Sequence, residues 1–332
     1  MSVSEFCLSL HHLKPVKNYS MMKNKVSYFA CLLLAGLLLA SCEKVVLDEE
    51  QPAVTKEANV TIRVADIETG WGNDLSRTMT NVAEVCSRLN FAVYQNGSRV
   101  KYKNQAKGDD GFGVFSMQLD AGTYKVLVLA HSGKANPTTT DPAKLQFTNP
   151  GSSGGTGFTD TFYYYGDLTV GETASQLNVT MKRATSMFRL VTSDVKPAKV
   201  KKFQFYYEGG SGALNAVTGL GCVDSKQSVF VTLDDSQTGQ TLQMDMYTFL
   251  HAETGNVTFT VKAFDANEDI VYSKEFANVQ MKRNCITRYT GDFFVGDDQN
   301  TPDEPVVPKP EEPSSDVVMV DPEWGEIFDY TF

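Results

Sequence analysis

Histidine, cysteine and cationic side chains are scarce in this sequence, and each shortage closes off a class of function. Four histidines stand among 332 residues. His11 and His12 fall in a segment read below as a leader, which leaves His131 and His251. Two lone imidazoles, neither beside a nucleophile motif, supply no catalytic triad and no His-rich metal centre; both are expected at the surface or at strand ends. The six cysteines reduce likewise, with Cys7 and Cys31 in the leader and Cys42 at its end. Cys86, Cys222 and Cys285 remain, an odd and widely spaced set that reads as buried thiols, with one bridge at most, rather than as a disulfide framework or zinc site. Lysine and arginine number 30 against 40 acidic residues. Without residues 1–41, which hold four lysines and Glu5, the balance is 26 against 39, a net of −13 that repels nucleic acid.

Other signals for chemistry are equally thin. Gly151-Ser152-Ser153-Gly154-Gly155-Thr156-Gly157 is glycine-rich, but it lacks the Lys-Ser/Thr of a phosphate-binding loop and no helix pattern opens behind it. Asp109-Asp110 and Asp234-Asp235 have no spaced ligand loop around them, and no pair of carboxylates stands out for glycoside hydrolysis. No catalytic, cofactor-binding or metal-ligating residue is nominated, so the chain reads as a non-enzyme without a cofactor.

What is present begins at the N-terminus. Residues 28–40 form an apolar run, too short for the roughly twenty residues of a membrane-crossing helix and preceded by Lys23 and Lys25. It closes on Leu39-Ala40-Ser41-Cys42. Small residues followed by a thiol match the lipobox of bacterial lipoproteins, in which a diacylglyceryl group joins the cysteine sulfur and the chain is cut before it. Cys42 is therefore the expected lipidation site and residues 1–41 the signal peptide. Residues 1–20 lack the character of a signal, which places the true start at Met21 or Met22. Each buried lipid methylene contributes about 0.8 kcal/mol of membrane binding, so several chains hold durably.

Beyond the leader the chain reads as all-β, with no long helical period. Short runs rich in Val, Phe, Tyr and Thr alternate with polar residues between Gly, Asn, Asp and Pro clusters. Val60, Ile62, Val64 and then Asp66 are expected on one face of a first strand. Residues 89–94 and 100–103 flank Asn96-Gly97, a tight hairpin; 113–119 and 123–129 flank Asp120-Ala121-Gly122, read as a second hairpin. Residues 132–157 read as a long exposed loop, either disordered or touching a partner. Asn178-Val179-Thr180-Met181-Lys182-Arg183 recurs as Asn278-Val279-Gln280-Met281-Lys282-Arg283, and the aromatic strand 89–94 has a counterpart in 202–207. A period of about one β-sandwich domain follows. Later strands are expected at 187–191, 202–207, 229–233, 242–249, 257–265, 270–276 and 286–295.

These signals set the boundaries: signal peptide 1–41, lipidated linker 42–56, β-sandwich domains 57–183 and 184–296, an acidic Pro-rich linker 297–316, and an apolar C-terminal segment 317–332. The acidic linker cannot bury a core, whereas the tail needs somewhere to dock, either back on the second domain or as a strand added to another subunit. Tyr163-Tyr164-Tyr165 and Tyr206-Tyr207 could stack on sugar rings, although alternation turns half of the first cluster inward.

Taken together, the chain resembles the fimbrillin-A-associated anchor protein family, fimbrial anchor lipoproteins of Gram-negative anaerobes. The resemblance is carried by Leu39-Ala40-Ser41-Cys42, by Ala121-Gly122-Thr123-Tyr124-Lys125-Val126, by Met181-Lys182-Arg183, and by Met281-Lys282-Arg283-Asn284 through Thr290-Gly291-Asp292-Phe293-Phe294, and it covers roughly 42–295. It implies two tandem transthyretin-like β-sandwich (Greek-key) domains. It implies also a protein at the surface of the outer membrane, held by lipid on Cys42, that fixes a fimbrium through contacts with fimbrial subunits. Stalk or tip subunits share that fold, and in them a protease cuts after a basic residue so that the next subunit can donate a strand. Arg77, in Leu75-Ser76-Arg77-Thr78, stands where such a cut would fall; an anchor would leave it intact, since cleavage there frees the lipid. The segment 297–332 departs from a minimal two-domain anchor and keeps both readings open, with a glycan-binding surface lipoprotein as a third.

Overall fold

The structure is a computed structural model, in which residues 57–69, 78–147, 157–295, 309–310 and 326–332 are described. Cys42 and Arg77 lie outside them. Residues 56–332 form one compact unit.

Its first half runs β1 (Val60–Thr69), β2 (Thr78–Thr80), a single helical turn α1 (Val82–Val85), β3 (Arg88–Gln95), β4 (Ser98–Ala106), β5 (Val114–Met117), β6 (Gly122–His131), the short β7 (Leu145–Gln146), β8 (Phe162–Val170) and β9 (Ser175–Arg183). The second half runs β10 (Ser186–Thr192), β11 (Lys202–Ser211), β12 (Ala213–Asn215), β13 (Leu220–Gly221), β14 (Asp224–Thr232), β15 (Gln243–Thr248), β16 (Thr254–Phe264), β17 (Ile270–Lys282) and β18 (Ile286–Gly291). Two C-terminal strands follow, β19 (Lys309–Pro310) and β20 (Ile327–Thr331). The described residues are all-β apart from α1 and a turn of 3-10 helix at Asp235–Gln237.

Alternation in the sequence becomes burial in the fold. Val60, Ile62 and Val64 face the first core, but the register on β9 shifts between Val64 and Asp66, so Ile67 and not Asp66 returns inward. A bulge of this kind keeps a carboxylate out of the apolar layer. Asn96 and Gly97 take φ of 50° and 78° and close the β3–β4 hairpin, as a two-residue turn with positive φ requires.

The second expected hairpin does not form. β5 pairs with β1, while β6 pairs with β3 and β8, so the chain crosses between layers at 118–121. Asn59 fixes that crossing: its amide Nδ2 donates to the Leu119 carbonyl at 2.8 Å and its Oδ1 accepts the Leu119 N–H at 2.9 Å. Adjacent apolar strands predicted a hairpin here, but each strand's partner is set by the layer its side chains must fill.

Pairing divides each half into two layers. In the first, β5-β1-β9 faces β4-β3-β6-β8, with β2 extending β1. β8 and β9 touch at only two register positions, Phe162 with Arg183 and Tyr163 with Lys182, which makes that edge a corner. Phe91, Val93, Val126 and Val128 from one layer and Ile62, Val64, Val179 and Met181 from the other share one core. The second half repeats the scheme, with β15-β10-β18 opposite β14-β11-β16-β17. Even the parallel pair recurs, β1 with β9 and β10 with β18.

The six-residue sequence repeat does not mark equivalent strands, however. Asn178 to Arg183 ends β9, the last strand of its sandwich, whereas Asn278 to Lys282 ends β17, whose counterpart by pairing is β8. The true counterparts are β3 and β11, the aromatic strands, each held between two antiparallel neighbours.

Candidate functional site

Two places in the fold stand out as candidates: the junction between the halves, and the edge of the second sandwich. At the junction the β3-β6-β8 layer is apolar on both faces. Leu127, Leu129, Ala92, Tyr94, Tyr163 and Tyr165 turn away from the first core and pack with Phe158, Leu214, Ala216 and Phe249. The loop after β6, expected to be exposed, enters this cluster. Leu145 is fully buried, and β7 pairs with β12 of the second half. Phe147 meets Phe249 with ring centroids 5.1 Å apart, and Phe158 meets Phe249 at 4.9 Å. An apolar Leu-Gln-Phe inside a polar loop was the available sequence signal.

The two arginines of the repeated Met-Lys-Arg span the same junction from opposite sides. Buried Arg183 donates to both Asp160 carboxylate oxygens, at 2.9 and 3.0 Å, and through Nη1 to Asn284 Oδ1 at 2.7 Å. Arg283 binds Glu253 and reaches back to the Tyr163 hydroxyl at 3.2 Å. A fork of five N–H donors suits such bridging, and burial makes the Arg183–Asp160 pair sensitive to loss of a partner, whereas Glu253 is exposed.

At the other place, β20 lies along β18 in parallel, Ile286 opposite Ile327 through Thr290 opposite Thr331. The tail thus docks on its own second half. Tyr330 stacks on Tyr289 at 4.9 Å and 20°, and Phe332 meets Phe276 edge-on at 5.0 Å. Ile327 packs on Met187 and Ile286. Arg288 grips Asp329 with two N–H donors, and Lys282 pairs with Glu326 at 2.9 Å. Backbone bonds from Ile286 N–H to Glu326 and from Phe332 N–H to Thr290 close both ends, at 3.0 and 3.2 Å. Residues 296–326 meet the dozen or more residues a parallel crossover requires. Gly291 is obligatory, because a Cβ there would stand 2.2 Å from the Phe332 carbonyl oxygen.

The remaining sequence candidates fall elsewhere. His131 ends β6, as expected, but is buried rather than at the surface: its Nε2 donates to Asn90 Oδ1 at 3.0 Å and its Nδ1 accepts the Gly133 N–H at 3.0 Å. Burial, with Arg88 adding to it, lowers its pKa to about 4, so the ring is neutral. His251 sits opposite Asp224 at 3.0 Å. Cys86 and Cys285 are buried thiols, and burial pushes both pKa values up; Cys222, expected inside, is exposed. Asp234 caps the 3-10 turn by accepting the Ser236 N–H at 2.8 Å, and Asp109 accepts the Ala106 N–H at 2.8 Å, both turn-stabilising roles. Tyr163 and Tyr165 pack at the junction and Tyr164 on the first core, Tyr206 is half-buried, and Tyr207 is buried with its hydroxyl donating to the Tyr247 carbonyl at 3.1 Å. Among the described residues no group of three His, Cys, Asp or Glu is placed to hold a metal.

Fold and site together define an all-β protein of two like sandwiches, clasped to each other and closed by a C-terminal strand. The chain belongs to the family described as "Family of unknown function (DUF6562)", whose pattern matches residues 50–323. No curated protein matches it. It is similar to a "putative adhesin" from Bacteroides ovatus, at 13% identity over 65% of this chain and 75% of that one with a TM-score of 0.45. It is similar to the fimbrial anchor protein Mfa2 from Porphyromonas gingivalis, at 11% identity over 64% and 80% with a TM-score of 0.38. A fimbrial assembly protein from Parabacteroides distasonis is similar at 15% identity over 70% and 90%, with a TM-score of 0.34.

Proposed function

We propose that the protein is a non-enzymatic outer-membrane lipoprotein, acylated on Cys42, that anchors a fimbrium at the cell surface. Two tandem transthyretin-like β-sandwich domains, 57–183 and 184–296, would hold the fimbrial subunits by strand-to-strand contact. The observation that carries this reading is β20 lying along β18: the edge of the second sandwich accepts an added strand from Ile286 to Thr290. Main-chain hydrogen bonds of that kind transmit load while leaving side chains free to choose the partner. The junction supports it as well, since clasped halves pass force from the membrane side to the far sandwich without a hinge.

Its test is genetic. In a strain carrying Cys42→Ala, fimbriae are expected in the medium rather than on cells; normal retention on cells would overturn the proposal. The alternative, a polymerising subunit, needs 317–332 in trans, and the position of β20 in cis favours the anchor. N-terminal sequencing of the surface form separates the two, with Cys42 first in an anchor and Thr78 first in a subunit cut after Arg77.

A further inference from the structure

Between the end of β17 and the C-terminal strand lies a cleft of about 470 Å³, lined by Thr254, Gly255, Asn256, Gln280, Met281, Lys282, Phe328 and Tyr330. That volume falls within the roughly 300–1,000 Å³ of small-molecule sites. Cross-strand register arranges one wall as a square of polar groups, Thr254 opposite Lys282 and Asn256 opposite Gln280. Thr254, Asn256 and Gln280 are exposed, and their side chains hydrogen-bond to nothing among the described residues. The facing wall comes from β20. Tyr330 is already stacked on Tyr289, but the half-buried Phe328 ring meets no other ring among the described residues.

We infer that this cleft binds a neutral saccharide, with the Asn256 and Gln280 amides on its hydroxyls and the Phe328 ring under its C–H face. Paired amides each donate and accept, which is what vicinal hydroxyls demand. The electron-rich face of an aromatic ring attracts the weakly positive C–H bonds of a pyranose. Charge argues against an anion: among the described lining residues the one cation, Lys282, is answered by Glu326 at 2.9 Å. An apolar ligand would strand two amides without partners, a costly outcome once water is expelled. Because Phe328 and Tyr330 arrive with β20, the site exists only while the tail is docked. Binding and docking are therefore linked, and the sugar stabilises the docked strand. The site is independent of the anchoring proposal and lies apart from the tyrosine clusters.

The experiment is to screen the intact protein on an array of neutral oligosaccharides, then to titrate it with lactose, cellobiose and N,N′-diacetylchitobiose by calorimetry and saturation-transfer NMR. Binding is expected on the array and with at least one disaccharide. It should fall at least about tenfold in the double variant Asn256→Ala/Gln280→Ala and in Phe328→Ala. The amide variant should keep its melting temperature, since both side chains are exposed. Tyr102→Ala, which removes a 59% exposed ring on β4, should bind like the parent. A blank array, affinity that survives both cleft variants, or a cleft that takes up an extended peptide and no sugar would each overturn the inference.

Discussion

At the scale of single residues, His131 reports how this fold treats polar groups it must bury. The ring sits in a chain of amides: Asn90, itself fully buried, accepts from His131 and donates to Asn104 at 2.9 Å and Asn136 at 3.0 Å. This network ties the loop after β6 to the β3–β4 hairpin and works only with a neutral imidazole. The sign of its pH dependence follows. With the folded pKa lowered from 6.5 to about 4, the unfolded chain binds a proton that the folded chain refuses between those values. Stability present above about pH 6.5 is lost as pH falls toward 4, up to about 3 kcal/mol. Urea unfolding at steps between pH 7.5 and 4.5 should trace that loss, and His131→Phe, less stable at neutral pH, should show a flatter dependence. Parallel slopes for the two proteins would rule the account out. Asn90 inside Leu89-Asn90-Phe91 was the one hint in the sequence that a polar partner waited inside.

At the scale of elements, the C-terminal strand is the feature on which most depends. A sheet edge left open presents unpaired N–H and C=O groups to any passing strand. β20 covers β18, and at the end of the first sheet β4 guards its own edge with Lys101 and Lys103, both exposed. Gly291→Ala tests the contribution of β20, because the atoms the added methyl meets first are the backbone oxygen and ring of Phe332. This variant should release the tail to proteolysis, lose on the order of 2 kcal/mol, and self-associate through the bared β18 edge. Limited proteolysis with mass spectrometry and light scattering would check it; a protected tail and a monomer at high concentration would contradict the assignment. The apolar character of the tail was readable beforehand. Its partner was not, since parallel pairing across a long acidic segment leaves no local trace.

At the scale of the whole molecule, the question is whether the halves behave as one body. Phe249 belongs to the second half yet is fully buried among Phe147 and Phe158 of the first. With Arg183 and Arg283 bridging in opposite directions, neither sandwich can open without exposing apolar surface of the other. One cooperative unfolding transition is expected, with calorimetric and van't Hoff enthalpies in agreement. Phe249→Ala should cost about 3–5 kcal/mol and split that transition into two. Two separate transitions in the parent protein would refute the coupling.

Alternation, turn residues and composition were enough to determine the all-β class, the β3–β4 hairpin at Asn96-Gly97 and the seven main strands of the second half. Each rests on interactions between near neighbours, which residue order encodes directly. The tertiary structure alone decided that β5 leaves β6 for β1, that the Met-Lys-Arg repeats are junction clamps on non-equivalent strands, that 145–146 clasps the second half, and that the tail closes β18 in cis. Those outcomes depend on which apolar faces remain uncovered once the layers have formed, a property of the assembled surfaces that no single stretch of chain contains.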